Sequence, residues 1–389
     1  MKRSVYLDSN STTPIDPRVK SAMEPYLEKI FGNPSNLHSY GRECAEGLAR
    51  AREQVAEFLA AKPEEIFFTS GGTEANNWAI KGVAVARMLK RGRHIIISPI
   101  EHASVLSSAK YLADNGWQVT YLPVDSYGLV DPEDVRRMIT KETALVSVML
   151  ANNEIGTVEP IQEIAAICHE KGVYFHADAV SAAGKVKIAV NELNVDLLTI
   201  SGHKIRAPKG IGVLYIKKGT EIHPLIHGGH HEKGMRAGTE NVLGIVGIGR
   251  ACEILKNEWQ EHAQKMLELR NRFEKEVLKR IPDVRLNGHP EKRLPNTSHF
   301  GVAYVEGEAL LMNLDLEGVA VASGSACASG EAEPSPTVKA INLPPEFRNS
   351  VVRFSFGEYN TREDIDYAVE VFEKVVKRLR EISPLTHQR

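Results

Sequence analysis

The sequence predicts an α/β fold, a largely parallel sheet with helices on both faces, followed by a smaller α+β lobe. Three observations carry this. Between residues 66 and 216, seven short runs rich in β-branched and aromatic residues alternate with helical stretches, the pattern of repeated strand–helix–strand units. A long helical segment then leads into shorter, mixed elements. The length of 389 residues exceeds what one ordinary core accommodates and favours two lobes.

In chain order, Val5-Tyr6-Leu7 reads as a short strand. Asp16 followed by Pro17 marks a helix start, an N-cap acid before a proline at the first helical position. Ser39–Ala60 is a second helix, with Ala45, Leu48, Ala51, Val55 and Leu59 on one face. The strand-like runs are Ile66–Phe68, His94–Ser98, Val119–Pro123, Ala144–Leu150, Val173–His176, Leu197–Ile200 and Val213–Ile216. Helices are expected between most of them, at Glu74–Leu89, Ala103–Asn115, Pro132–Ile139 and Ile161–Lys171. A long helix spans Asn241–Arg280. Further elements fall at Asn296–Val302, Glu308–Leu314, Val319–Ala322 and Val351–Ser355, and a helix from Arg362 to Ile382 capped by Thr361 closes the chain. The expected division is an N-terminal segment, 1–15, packing with the small lobe; a large lobe, 16–260; and a small lobe, 261–389.

Apolar residues make up 42% and charged residues 25%, a soluble globular composition. A net charge of −2 favours neither nucleic acid nor an anionic membrane as partner. The start lacks the apolar core of a signal peptide, and no apolar run approaches the roughly 20 residues that span a bilayer. Cys44, Cys168, Cys252 and Cys327 show neither metal-ligand spacing nor disulfide density. A cytoplasmic enzyme with reduced thiols is the expectation.

Ligands of open α/β sheets bind beyond the carboxyl ends of the strands. Five strand ends here present polar groups in succession: Thr69-Ser70-Gly71-Gly72-Thr73-Glu74, then His102, Asn152-Asn153-Glu154, Asp178, and Ser201-Gly202-His203-Lys204. The Ser70–Thr73 turn suits a phosphate, through glycine backbone and a helix N-terminus, or serves as a helix cap. Lys204 is a candidate Schiff-base amine or a surface lysine. Asp178 is a candidate partner for a pyridine nitrogen or a turn former. His102 could lie against a cofactor ring and move protons. Cys327 sits among small polar residues, Ser323-Gly324-Ser325-Ala326-Cys327-Ala328-Ser329-Gly330, where an accessible thiol could act as a nucleophile; the other three cysteines fall in helical, partly apolar stretches and read as buried and inert. Arg353, in an apolar strand, needs a partner: a substrate carboxylate or an internal acid.

Together these residues resemble the cysteine desulfurases, within the aminotransferase class V group of pyridoxal-phosphate (PLP) enzymes, nearly end to end. The landmarks are Tyr6-Leu7-Asp8, Thr12-Thr13-Pro14, Phe31-Gly32-Asn33-Pro34-Ser35, Phe68–Glu74, Glu101-His102, Asn152–Gly156, His203-Lys204, Arg236-Ala237-Gly238-Thr239 and Ser325-Ala326-Cys327. The Ser-Gly-Ser-Ala-Cys loop with Glu333-Pro334-Ser335 beyond it is similar to the long-loop group that feeds iron–sulfur cluster assembly. The resemblance implies PLP-dependent transferase fold type I, with a mainly parallel seven-stranded sheet in the large domain. It implies that Lys204 holds PLP, Asp178 pairs with the pyridinium nitrogen and His102 stacks on the ring. Gly72, Thr73, Ser201 and His203 would bind the phosphate, with Gly202 beside them, while Asn153 and Ser181 lie at the ring hydroxyl. Thr239 would reach the phosphate of a neighbouring subunit in a homodimer with shared sites. Arg353 and Asn33 would bind the substrate, L-cysteine. The Cys327 thiolate would attack its sulfur, leaving alanine and a persulfide for an iron–sulfur scaffold protein or another acceptor.

Some positions depart from the family pattern. Ser181 stands where a glutamine usually donates to the ring hydroxyl. His230 and His231 stand where Gly and Gln are usual; adjacent side chains rarely point together, so no metal is expected. Ser9-Asn10-Ser11 also differs from the usual Asn-Ala-Ala or Asn-Asn-Ala. Such changes raise slower turnover or an altered substrate. The alternatives are a selenocysteine lyase or another class V PLP enzyme such as a transaminase, which needs no Cys327, and a weakly active docking component of a cluster-assembly complex.

Overall fold

The computed structural model describes residues 3–323 and 334–383, so Cys327 lies outside the described residues. Its strands, in chain order, are β1 (Val5–Tyr6), β2 (Ile66–Thr69), β3 (His94–Ile97), β4 (Gln118–Tyr121), β5 (Thr143–Ser147), β6 (Tyr174–Asp178), β7 (Leu197–Ser201), β8 (Gly212–Ile216), β9 (Val284–Asn287), β10 (Thr297–Val302), β11 (Val319–Ala320) and β12 (Val351–Ser355). Seven of them form the central sheet in the order β2-β8-β7-β6-β5-β3-β4. The sheet is mainly parallel, as expected; only β8 runs antiparallel to its neighbours.

Side chains alternate between the two faces with the period of two that a strand imposes. Val146, Leu198, Ile200 and Val213 enter one core, which also takes Val55 and Leu59 of helix Ser39–Leu59 and Ile164 of helix Ile161–Glu170. Leu145, Leu197 and Leu214 enter the other, with Trp78, Val105 and Ala109. Because both faces are covered, β3, β5, β7 and β8 are buried along their length and read as apolar runs.

The 39-residue helix Val242–Arg280 runs between two hydrophobic cores. Ile245, Ile248 and Leu255 pack in the first core, whereas Leu269, Phe273 and Val277 recur four apart in a third. That third core lies on a three-stranded antiparallel sheet, β12-β10-β9, and on the closing helix Arg362–Ile382. Phe273, Phe300, Phe354 and Phe372 meet there, with the Phe273 and Phe354 rings 4.5 Å apart. Each such buried phenylalanine contributes about 1.5–3 kcal/mol. Thr361 and Asp364 cap the closing helix reciprocally, at 3.2 and 3.1 Å.

The N-terminal segment is a strap that bonds to both the β12 end of the three-stranded sheet and the β7 end of the central one. β1 pairs with β11, and the Ser9 N–H donates to the Ser355 carbonyl at 3.0 Å. The strap then reaches the end of β7, where the Thr13 N–H and Oγ1 both donate to the His203 carbonyl, at 3.0 and 2.9 Å.

Several expectations are corrected. The strand expected over Ala144–Leu150 stops at Ser147; beyond it Val148 and Leu150 still donate to β6 carbonyls, while the Met149 N–H donates to the Glu101 carboxylate at 2.6 Å. The helix expected from Glu74 starts at Gly72 and contains a π turn at Trp78–Gly82. Asp178 closes β6 rather than following it. Strand β9 and the short helix Pro25–Glu28 were not foreseen. Both lack a continuous apolar pattern: β9 buries only Asn287, and Pro25–Glu28 buries no residue.

Candidate active site

The carboxyl ends of β2, β3, β6 and β7 and the loop after β5 surround a cavity of about 710 Å³. Gly72, Thr73, His102, Asn153, Asp178, Ser181, Ser201, His203, Lys204 and Arg353 all line it. Gly202, Asn33 and Thr239 do not. Gly202 is buried, and a Cβ there would meet Ile211 Cγ2 at 2.7 Å. Asn33 is exposed and turns its Oδ1 to the Ser35 N–H at 2.9 Å. Thr239 is exposed on the segment that Arg236 ties to Glu74, at 2.9 Å. His230 and His231 also lie away from the cavity, and the His231 Nδ1 accepts the Gly238 N–H at 3.2 Å.

Lys204 ends the single turn Gly202–Lys204 that follows β7. The N-terminal strap holds its Nζ, which donates to the carbonyls of Asn10 and Ser11. Burial lowers its pKa to about 8, helped by Arg353 and opposed by Asp8 and Asp178. An appreciable fraction of the amine is therefore neutral and nucleophilic near neutral pH. His203 is driven down to about 4 by burial and by Lys204, so its ring is neutral.

Asp178 is buried and held by two donors. Its Oδ1 accepts the Val180 N–H at 2.9 Å and its Oδ2 the Asn76 amide at 2.7 Å. His102 caps the helix Ala103–Asp114, its Nδ1 accepting the Ser104 N–H at 3.1 Å. At Gly72 a Cβ would come within 2.9 Å of Val180 Cγ2 and 3.5 Å of Ser201 Cβ, so a side chain there would fill the space between the helix start and β7.

Arg353 projects from β12 and has found an internal acid. Its Nη2 donates to Asp8 Oδ1 at 2.7 Å and to Ser11 Oγ at 2.8 Å, and its Nη1 to the Asn153 carbonyl at 2.9 Å. Of the two partners left open by the sequence, Asp8 is the one engaged. A substrate carboxylate entering the cavity would share or displace that contact.

Sequence reasoning missed Asn76, Ser104 and Lys185 here, and it named Glu101 and Glu154 without giving them a role. Asn76, Ser104, Glu101 and Glu154 line the cavity, and Lys185 lies behind it. Asn76 follows Thr73 by one helical turn and Ser104 follows His102 by two residues, so neighbourhood to a strand end was the available signal. Lys185 had none: it sits in an apolar stretch, and its burial is tertiary. Its Nζ donates to the Ser181 carbonyl at 2.9 Å, and burial lowers its pKa to about 7, with Lys204 adding to the effect. Burial raises Glu154 to about 7 although Ser335 donates to it at 2.6 Å. Burial also raises Glu101 well above the ordinary carboxyl value, and the Asp178 charge pushes the same way.

The residues present fit PLP. Among the described residues, Asn76 Oδ1, Glu101 Oε2 and Arg353 Nε are buried polar atoms without a hydrogen-bond partner, and all three belong to residues lining this cavity. Such atoms are costly unless a polar ligand or water meets them. An oriented carboxylate, an amine of lowered pKa and an open glycine cradle at a helix start together suit a pyridinium, an aldehyde and a phosphate.

Glu101 sets a pH dependence. Its folded pKa lies above the unfolded value, so its stabilising contribution is complete below about 4.5 and is lost as pH rises through the folded pKa. Glu101→Gln keeps the neutral shape and cannot ionise. Its melting temperature is expected to gain on that of the parent between pH 5 and pH 8, read by differential scanning calorimetry on the PLP-free protein. A constant difference across that range would show that Glu101 is not held neutral.

The aminotransferase class-V family matches residues 5–368. A cysteine desulfurase IscS of Dictyoglomus turgidum is 53% identical over 384 residues, covering 99% of this chain and 97% of that protein. A solved NifS-like protein superposes with a TM-score of 0.91 at 38% identity, covering 97% of this chain and all of the other. A solved SspA in complex with cysteine gives a TM-score of 0.80 at 34% identity, covering 92% and 100%. The chain belongs to the aminotransferase class-V family.

Proposed function

We propose that the protein is a PLP-dependent cysteine desulfurase that converts L-cysteine to L-alanine and retains the sulfur as a persulfide on Cys327. The observation that carries this is the convergence of Lys204, Asp178, His102 and Arg353 on one cavity bordered also by Ala322 and Pro334. Those two residues flank the stretch that carries Cys327. Cys327 is five residues beyond Ala322 and seven before Pro334 in the sequence. The relatives named cysteine desulfurase and the cysteine complex of SspA favour the same substrate.

PLP supplies the electron sink that makes the substrate's C–S bond cleavable. Asp178, oriented by Val180 and Asn76, would pair with the pyridine nitrogen of the bound cofactor. Arg353 orients the substrate carboxylate. The Lys204 Nζ and His102 Nε2 move protons at the substrate's Cα and Cβ. The Cys327 sulfur forms an S–S bond as the substrate's C–S bond breaks; L-cysteine and one thiol give L-alanine and one persulfide, and atoms balance without an added oxidant.

The proposal includes a homodimer with shared sites. Leu27, Phe31, Leu37 and Tyr40 are exposed in one short stretch around Asn33, and such apolar surface usually meets a partner. Asn33 and Thr239 stand outside the cavity of their own chain, so a second copy would supply them. The persulfide would pass to an iron–sulfur scaffold protein or another acceptor. Helix Val242–Arg280 changes core between Leu255 and Leu269, which supports dividing the large lobe, 16–260, from the small lobe, 261–389. Among the described residues no helix is long and apolar enough to cross a membrane.

The PLP-loaded protein, given L-cysteine and a thiol reductant, is expected to form alanine and sulfide in equal amounts. Formation of a keto acid, or no alanine, would overturn the assignment.

A further inference from the structure

Asn76 and Ser104, buried side by side against the cavity, connect His102 to Asp178 through a chain of hydrogen bonds. Asn76 Nδ2 lies 2.7 Å from Asp178 Oδ2 and 2.9 Å from Ser104 Oγ. Ser104 Oγ lies 2.8 Å from His102 Nδ1, and the Ser104 N–H donates to the same nitrogen at 3.1 Å. Asn76 is 1% exposed and Ser104 6%, so water does not readily replace these contacts.

An ionised Asp178 only accepts, so the Asn76 amide must present its NH₂ to it. The second proton of that NH₂ then points to Ser104 Oγ, which accepts it. The serine hydroxyl retains one proton, and His102 Nδ1 is the acceptor within reach. The Ser104 backbone N–H points at the same nitrogen, and its bond at 3.1 Å favours the same unprotonated Nδ1 that the hydroxyl proton requires. The neutral imidazole must therefore carry its proton on Nε2. The Asn76 Oδ1 left without a partner is consistent with this orientation, because a flipped amide would put its oxygen against the Asp178 carboxylate.

We propose that Asn76 and Ser104 are positioning residues: through them the negative charge of Asp178 fixes His102 in the tautomer that presents Nε2–H to the cavity. The inference deepens the PLP reading, since Asp178 and His102 would bracket the cofactor from its nitrogen and its face. It makes two groups act in concert. The carboxylate that would pair with the pyridine nitrogen also dictates which imidazole nitrogen exchanges protons with the substrate. A histidine free to adopt either tautomer would spend part of its time with the wrong nitrogen protonated for that exchange.

The test reads the tautomer directly. Protein labelled with ¹⁵N-histidine is examined by NMR without PLP and loaded with it, and His102 is assigned by comparison with His102→Gln. In the parent, Nδ1 is expected to have a pyridine-like shift and Nε2 a pyrrole-like one. In Ser104→Ala the Nδ1–H form is expected to become detectable and kcat to fall by roughly two- to tenfold, the worth of one neutral hydrogen bond, with KM nearly constant. Ser104→Thr, which restores a hydroxyl, is expected to recover both. Asn76→Ala should reproduce the tautomer change, because Ser104 is then free to turn its proton away. An unaltered tautomer in both Ser104→Ala and Asn76→Ala would show that the backbone N–H alone holds His102 and would overturn the relay. The PLP-free spectrum does not depend on activity, so a failed relay is distinguishable from a mistaken function.

Discussion

Lys204→Ala is expected to abolish the covalent attachment of PLP and to reduce alanine formation by at least roughly 10²–10⁴-fold, the loss that removal of one proton-transferring side chain brings by itself. The reason lies in how the amine is kept. Burial lowers its pKa to about 8, and carbonyls of the N-terminal strap receive its protons, so the nitrogen is held at the cavity wall with a neutral fraction available for attack. The nearest rival is structural. Lys185 has its pKa lowered to about 7 and lines, with Lys204, a small cavity of about 40 Å³ behind it. Lys185 also faces the back of the Ser181 backbone, to whose carbonyl it donates. Borohydride reduction of the PLP-loaded parent, then peptide mapping, should place the reduced adduct on Lys204, and the variant should yield none. An adduct on Lys185 in the variant would overturn the assignment.

This contrast between two lysines shows what the sequence could and could not carry. Lys204 was legible because it directly follows a β-rich run, and strand ends in an α/β sheet face the ligand. Asp178, His102 and the Gly72 turn were legible for the same reason. The alternation that exposes those ends also predicted the sheet, since strands buried on both faces leave a continuous apolar imprint. Lys185 left no such mark. Its burial depends on helix Val242–Arg280 folding over it, with Leu255 beside Gly184, a contact more than sixty positions away in the chain. Arg353 was half legible. A charge in an apolar strand announces a partner, but only the fold could reveal that the strap brings Asp8 to it. The capture of the Met149 N–H beyond β5 was illegible in the same way, because the Glu101 carboxylate that accepts it comes from another strand's loop. Ser9-Asn10-Ser11, which departs from the family pattern, turns out to be locked in place. Asn10 donates to Thr297 Oγ1 at 2.9 Å and accepts from Asn296 at 3.0 Å, while Ser9 meets the Tyr359 hydroxyl at 2.7 Å. These substitutions build the strap that holds Lys204 as well as border the site.

Cys327→Ser is expected to leave PLP binding intact and to reduce alanine formation from L-cysteine to background. Of the four thiols, three are excluded by burial. Sulfur transfer needs a thiolate that can approach the substrate, and burial in apolar surroundings denies both. Cys44, Cys168 and Cys252 are each at most 1% exposed. Burial raises the pKa of all three thiols, most strongly at Cys168 and Cys252, where the ionised form is negligible at neutral pH. None of them lines the cavity. Cys327 is the remaining thiol, in a stretch whose described flanks border that cavity at Ala322 and Pro334. A serine there keeps the size and polarity of the side chain, but its hydroxyl is a weak nucleophile toward sulfur. The PLP absorption band should persist in the variant and still respond to added cysteine, which separates loss of the sulfur acceptor from loss of the cofactor. Mass spectrometry of the parent after a single turnover without reductant should place one additional sulfur on the peptide containing Cys327. Persulfide on Cys44, Cys168 or Cys252, or undiminished alanine formation by the variant, would refute the role of Cys327 and favour a PLP reaction that needs no protein thiol.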